Sequence, residues 1–446
     1  MKKNITIKYS TIQVMRQLKN INKTISGLIL PVAFLFCVSA VQAQIPAPPQ
    51  DRPVALEGGT VHTISNGVIE NGTVVFEDGK ITAVGTDVDI PAGADVVDVS
   101  GRHVYPGLIH ASTTLGLSEI GRVGETVDLN EHGDINPNVR AEVAFHPESE
   151  HIPTAAVNGI TTVISTPTGG LISGMPAAMM TNGWTWEQMT LEAPVGMVIN
   201  WPNMGRRDTR DENIEKLQNF FDDARMYQTV KKAAGEEGVP RHLHDVRLEA
   251  MIPVLEGELP VFINASELRQ IQAAIAWAEK EDLRMVLVGG RDAGYVADQL
   301  AERDIPVILT PVISGPSRSW EGYDASYTTP LELYEAGVDF CIGGESSAAY
   351  AYRLMHHAGS AVAFGLSKEK GIKSLTLDAA RILGIDDKVG SIEEGKDATL
   401  IVTNGNPLEL WTRVEQVYIQ GREDDMMDKQ RRLYEKYKEK QRQAER

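Results

Sequence analysis

The chain has 446 residues, 42% hydrophobic and 23% charged, a composition that excludes a disordered or fibrous protein and allows a large core. Its 61 acidic residues against 43 basic ones exclude nucleic acid and anionic membrane surfaces as partners of the mature chain.

Residues 1–43 carry six lysines and arginines and no acid, then the apolar run "GLILPVAFLFCVSAV" and "VQAQ". That order predicts a signal peptide, with Val41 and Ala43 at the small-residue positions before the cleavage site. The protein is therefore expected to be exported, periplasmic or extracellular, and to start near Gln44. Met15 is an alternative start that would give a signal of more usual length. The apolar run is shorter than the roughly 20 residues of a membrane span, and Phe36 before Cys37 speaks against lipid attachment. Cleavage leaves 37 basic and 61 acidic residues, a formal charge of −24, and a single cysteine, Cys341. No intramolecular disulfide is then possible, so the core must hold the fold alone.

Residues 44–53, "QIPAPPQDRP", read as a Pro-rich linker. From 54 to 104 short alternating runs predict antiparallel strands, with Asp78-Gly79 as a two-residue hairpin turn. Val104 to Ile109 reads as a buried strand passing through Pro106-Gly107 and ending in small polar residues. Apolar runs then alternate with helical segments over 105–384: "GITTVIST", "VGMVINW", "VFINA", "MVLVGG", "VILTPV" and "DFCIGGE". Near-continuous apolar strands belong in a parallel sheet covered on both faces. The expected fold is α/β, a (β/α)8 TIM barrel. Short strands return over 385–423, predicting a composite β-sandwich built from both ends of the chain. Residues 424–446 form a charged helical tail.

The motifs "GKITAVG", "YPGLI", "GITTV", "LTLDAARILGI" and "VGSIEEGKDATLIV" resemble the amidohydrolase superfamily, nearest its imidazolonepropionase-like and dihydroorotase-like members. The resemblance implies metal-dependent hydrolysis of C–N bonds other than peptide bonds, with zinc or another divalent metal activating water. It also implies a ligand set of paired histidines on the first strand, two more on later strands, an aspartate on the eighth and often a bridging lysine. This sequence departs from that set. Ser112 and Thr114 occupy the paired-histidine positions, Asn264 the fifth-strand position and Gly289-Gly290 the sixth. Glu345 stands where the aspartate is expected, and no lysine occurs between Lys80 and Lys216. Hydroxyls and amides bind borderline metals far more weakly than imidazole does, so no metal and no other cofactor is expected.

Other candidates are weaker. His110 precedes the lost pair and reads as a histidine packed under the barrel mouth. "RHLHD" places His242, His244 and Asp245 at a helix start, where side chains two apart diverge. His146 and His151 lie in a polar loop, and His356 and His357 point different ways on a helix. Ser173 in "GGLISG" reads as a residue exposed on a structural turn, without the surroundings of a nucleophile. The segment 314–330 is expected to fold over the mouth. There Arg318, Trp320, Tyr323 and Asp324 form either a binding pocket or a packed lid with a Tyr-Asp hydrogen bond.

Two functions remain. One is an exported hydrolase of the superfamily with a degraded metal site, weak or inactive. The other is a metal-free pseudoenzyme that binds a small molecule or pairs with an active relative. Partners are then a small-molecule ligand, a second copy or a related amidohydrolase, with no nucleic acid and no membrane after cleavage.

Overall fold

The structure is a computed structural model that describes residues 45–205, 207–233 and 244–445. The signal-peptide expectation and His242 fall outside these residues.

Five strands come first: β1 (Val54–His62), β2 (Val68–Glu77), β3 (Lys80–Gly85), β4 (Asp95–Asp98) and β5 (His103–Pro106). The middle of the chain supplies β6 (Leu108–Thr113), β7 (Ile160–Ser165), β8 (Ile172–Gly174), β9 (Ala177–Met180), β10 (Thr190–Glu192) and β11 (Met197–Asn200). Then follow β12 (Val261–Ala265), β13 (Met285–Gly289), β14 (Val307–Leu309) and β15 (Phe340–Ile342). The last are β16 (Leu400–Thr403), β17 (Val414–Ile419) and β18 (Arg422–Glu423).

Strands β1 to β5 and β16 to β18 form one eight-stranded sheet drawn from both ends of the described chain, with β16 antiparallel to β5. The β2–β3 turn is the expected hairpin. Asp78 and Gly79 have φ of 50° and 78°, the left-handed pair that matches the twist of the flanking strands. Alternation along β16 and β17 packs both faces. Leu400, Val402 and Tyr418 join a cluster with Leu56, Phe76 and Ile81. Ile401, Val417 and Ile419 face the larger core of the α/β region.

The run Val104 to Ile109 is not one strand. It divides at Gly107 into β5 and β6, which belong to different sheets. Pro106 can donate no backbone bond, and a Cβ on Gly107 would lie 2.0 Å from the Thr161 hydroxyl. The glycine lets β6 pass against β7 at the point where the chain changes sheet.

The α/β region departs from a regular eightfold repeat. Its strands fall into a four-stranded sheet, β10-β9-β7-β6, and a six-stranded sheet, β15-β14-β13-β12-β11-β8. Among the described residues, no hydrogen-bonded ring closes them. β11 to β15 are mutually parallel, as are β6 and β7, whereas β8 and β9 run antiparallel to β11 and β7. Both sheets nevertheless share one interior. Ile109, Ala111, Ile164, Ala178, Val198, Phe262, Val288, Ile308 and Cys341 form a single buried cluster with Ala379, Ala380 and Leu383 of the helix Leu377–Leu383. Arg381 and Ile382 of that helix line a cavity together with Pro260, Arg284 and Pro306, which precede strands β12, β13 and β14. The helix therefore stops the N-terminal end of the strands, and the C-terminal end is left as the mouth.

Two sequence expectations change here. Residues 46–53 are not a free linker: Ala47 is buried with its N–H on Asn182, and the Gln50 amide bonds Phe76 O and Gly79 N. Ser173 is not on an exposed turn. It lies in β8, 2% exposed, and its hydroxyl donates to Gly169 O.

Candidate functional site at the mouth of the strands

Side chains two apart on a strand face the same way. Val198 and Phe262 point into the interior cluster, so Asn200 and Asn264 are the next inward positions toward the mouth. The two lie in register on β11 and β12, and Asn264 Nδ2 donates to Asn200 Oδ1 at 2.7 Å. Asn200 Nδ2 in turn reaches Gly170 O and Ser173 Oγ, both at 2.9 Å. Asn264 is thus one end of a neutral amide chain that ties β8 to β11 and β12. Asn200 was not foreseen, because "VGMVINW" reads only as a strand and an asparagine at a strand end is an ordinary turn signal.

On the opposite side, β6 meets the segment after β15. Thr114 Oγ1 donates to Ser346 O and accepts from Ala348 N, both at 3.2 Å, and Thr113 Oγ1 also donates to Ser346 O. Ser112 is half-buried on β6 two residues before Thr114. Glu345 is partly exposed, with Arg353 Nη1 at 3.5 Å and His357 Nε2 at 4.0 Å.

Behind Glu345 lie two fully buried histidines. His357 Nδ1 accepts the N–H of Ile313 at 3.0 Å, which fixes the proton of the neutral ring on Nε2. Among the described residues, that Nε2 and both nitrogens of His110 meet no partner at full hydrogen-bond geometry. Burial, reinforced by the neighbouring His357, pushes His110 down to about 3. Burial, with His356 and Arg353 adding to it, pushes His357 down to about 4. Both rings are therefore neutral near pH 7. His110 packs under the mouth as expected, and His356 and His357 do diverge, the second inward.

The lid differs from both of its sequence readings. Arg318 is not free to clamp a ligand, since it donates to both oxygens of Asp292 at 3.0 and 2.7 Å and to Glu321 at 2.9 Å. No Tyr-Asp bond forms. Tyr323 is 73% and Trp320 65% exposed, and Asp324 sits at the start of the helix Ala325–Glu335. Asp292 itself is buried and also accepts the N–H of Leu268 at the start of the helix Leu268–Lys280. The Arg318–Asp292 bond thus clasps the segment after β14 to the ends of β12 and β13. The loop histidines make no centre: His151 Nε2 bonds Glu119 O, and His244 stands just before Asp245, the N-cap of the helix Val246–Ala250.

Comparison with known proteins decides the family. A family model described as "Amidohydrolase family" matches residues 332–423. The amidohydrolase tasK of Hapsidospora irregularis is 21% identical over 78% of this chain, which spans only 39% of that longer protein. An imidazolonepropionase of Geobacillus sp. (strain WCH70) is 23% identical over 75% of this chain and 84% of its own. The solved structure of an amidohydrolase from Thermotoga maritima MSB8 is 28% identical and superposes with a TM-score of 0.78 over 83% of this chain and 99% of that one. These matches together support the amidohydrolase superfamily.

The metal that this superfamily uses does not fit the residues present. Thr114 has its hydroxyl taken up by two backbone groups. The Asn264 amide is turned toward Asn200, and Ser112 offers a neutral hydroxyl. Glu345 alone supplies a strong ligand, where zinc sites use at least three. His110 and His357 do not complete a set with it: among the described residues, no group of three or more His, Cys, Asp or Glu side chains is placed to hold a metal ion. The family supports a hydrolase of C–N bonds, and the mouth presents a neutral polar lining with one carboxylate.

Proposed function

We propose that this is an exported amidohydrolase-superfamily protein, by descent a hydrolase of C–N bonds other than peptide bonds, that has given up the catalytic metal. On this reading it is a TIM barrel with a composite β-sandwich, and it binds a small polar molecule at the mouth as a pseudoenzyme. The observation that carries the reading is the use of Thr114 and Asn264: the groups at two former ligand positions are spent on the protein's own hydrogen bonds. A free acceptor on Asn264 and the Glu345 carboxylate favour a ligand rich in N–H donors, such as an amide or urea.

Elemental analysis after dialysis tests this. The expected result is no stoichiometric zinc, manganese or iron, in the wild type and equally in the Ser112→His/Thr114→His double variant, since the remaining ligands and their supports are still missing. One tightly held metal per chain would overturn the reading. So would amide or urea hydrolysis by metal-stripped protein that Glu345→Gln abolishes.

Export rests on the basic-apolar-"VQA" order at the N-terminus. N-terminal sequencing of the mature protein should begin near Gln44, and an intact chain recovered from the cytoplasm would count against it.

A further inference from the structure

The C-terminal helix, Lys429–Ala444, has no role in the fold core. None of its residues is buried. It carries seven lysines and arginines against two glutamates, while the rest of the chain after residue 43 carries 59 acidic residues against 30 basic ones. Leu433, Tyr434 and Tyr437 lie on one face of it and are 42%, 65% and 56% exposed, a short apolar stripe set among cations. Asp428 caps its first turn, so the helix is well started while its apolar stripe stays exposed.

A surface with the opposite character lies nearby. The loop after β6 carries Glu119, Glu125, Asp128 and Glu131 against Arg122 alone between residues 118 and 131. It exposes Ile120 and Val123. Loop and helix are neighbours within one chain. Arg432 pairs with Glu150 at 2.9 Å, and beside it Ser149 donates to Glu119 while His151 bonds the Glu119 carbonyl. The apolar stripe of the helix and that of the loop nevertheless both remain exposed.

We propose that these two surfaces dock a second copy of this chain, the helix of each protomer lying on the 118–131 loop of the other. Because the two patches sit side by side on one protomer, a single two-fold axis can satisfy both at once, giving an isologous contact made twice. Charge selects this occupant. An anionic bilayer would attract the helix but repel the acidic body behind it, whereas a second copy presents the acid where the helix needs it. The loop springs from the mouth end of β6, and its Asp134 carbonyl holds the N–H groups of Leu171 and Ile172. The docked helix therefore comes close to the partner's mouth, which this dimer partly covers.

Sedimentation of the mature protein at micromolar concentration tests the proposal. A dimer is expected at low salt, weakening at least about tenfold near molar salt as the charges are screened. Lys436→Glu/Lys440→Glu should give monomer, and so should Glu125→Lys/Asp128→Lys. Mixing the two variants should restore the dimer, one contact being wild type and the other made by the exchanged charges, and combining all four changes in one chain should restore it as well. All these positions are on exposed segments, and an unchanged melting temperature confirms folding. A wild-type monomer at low salt, a dimer indifferent to both charge sets, or monomer binding to phosphatidylglycerol vesicles through the helix would overturn the proposal.

Discussion

A chain ending at Gly384 is expected to aggregate rather than fold. Truncation there removes β16, which sits in the sheet between β5 and β17. It also removes Leu400, Ile401, Val402, Val417, Tyr418 and Ile419, all nearly or completely buried. At about 2 kcal/mol for each buried apolar side chain, the loss is about 12 kcal/mol, comparable to the whole stability of an ordinary domain. The consequence goes beyond lost energy. β5 becomes an open edge beside Leu56, Phe76 and Val104, and an exposed apolar strand edge recruits other chains. Expression of the truncated form with a solubility assay and a thermal melt checks this. Soluble protein with a cooperative transition would show that the N-terminal strands hold themselves.

Arg318→Ala is expected to cost about 3 kcal/mol at pH 7, because it strips the guanidinium from the buried Asp292 carboxylate. Burial alone would raise the Asp292 carboxyl, but the Arg318 bond and the Leu268 N–H hold it below the usual carboxylate value. Such a group stabilises the fold above its unfolded value near 3.8 and loses that contribution as pH falls through its folded value. Wild type and variant should therefore converge in stability as the pH falls through the folded value of Asp292, which lies below its unfolded one. The two histidines behave alike in both proteins. Their folded values, about 3 for His110 and about 4 for His357, lie below the unfolded value of 6.5. The stability they contribute is present above pH 6.5 and falls away as the pH drops toward 4. Chemical denaturation at a series of pH values separates the effects. A gap between the two proteins that does not narrow as the pH falls below the unfolded carboxylate value would mean that Arg318 acts through packing instead of charge.

Much of this organisation could be read from residue order. The strands "VFINA", "MVLVGG" and "DFCIGGE" announced themselves by apolar runs between helical segments, and Asp78-Gly79 by its turn chemistry. What could not be read was pairing. Nothing in "YPGLI" says that the chain changes sheets at Gly107, because the reason is Thr161, more than fifty residues away. The antiparallel pieces β8 and β9 are short and buried on both faces, so they carry no alternation to distinguish them from a turn. At the mouth, the positions of Ser112, Thr114, Asn264 and Glu345 followed from the family pattern. Their hydrogen-bond partners did not, since Asn200 and the Ser346 carbonyl meet them only in three dimensions. Arg318 misled for the same reason. A lone arginine among aromatic residues looks available until the buried Asp292 is seen beneath it.

The two-ended sheet also sets the order in which the chain can fold. His103 on β5 faces Thr403 on β16, a pairing that spans 300 residues. Until almost the whole chain is available, β5 lacks its neighbour and one face of β1 and β2 lacks its cover. Contacts of such long range form late and slowly. A ribosome that releases the chain from its N-terminus therefore carries an open sheet for most of synthesis. That delay makes the arrival of β16, at Leu400–Thr403, the step that commits the molecule to its native form.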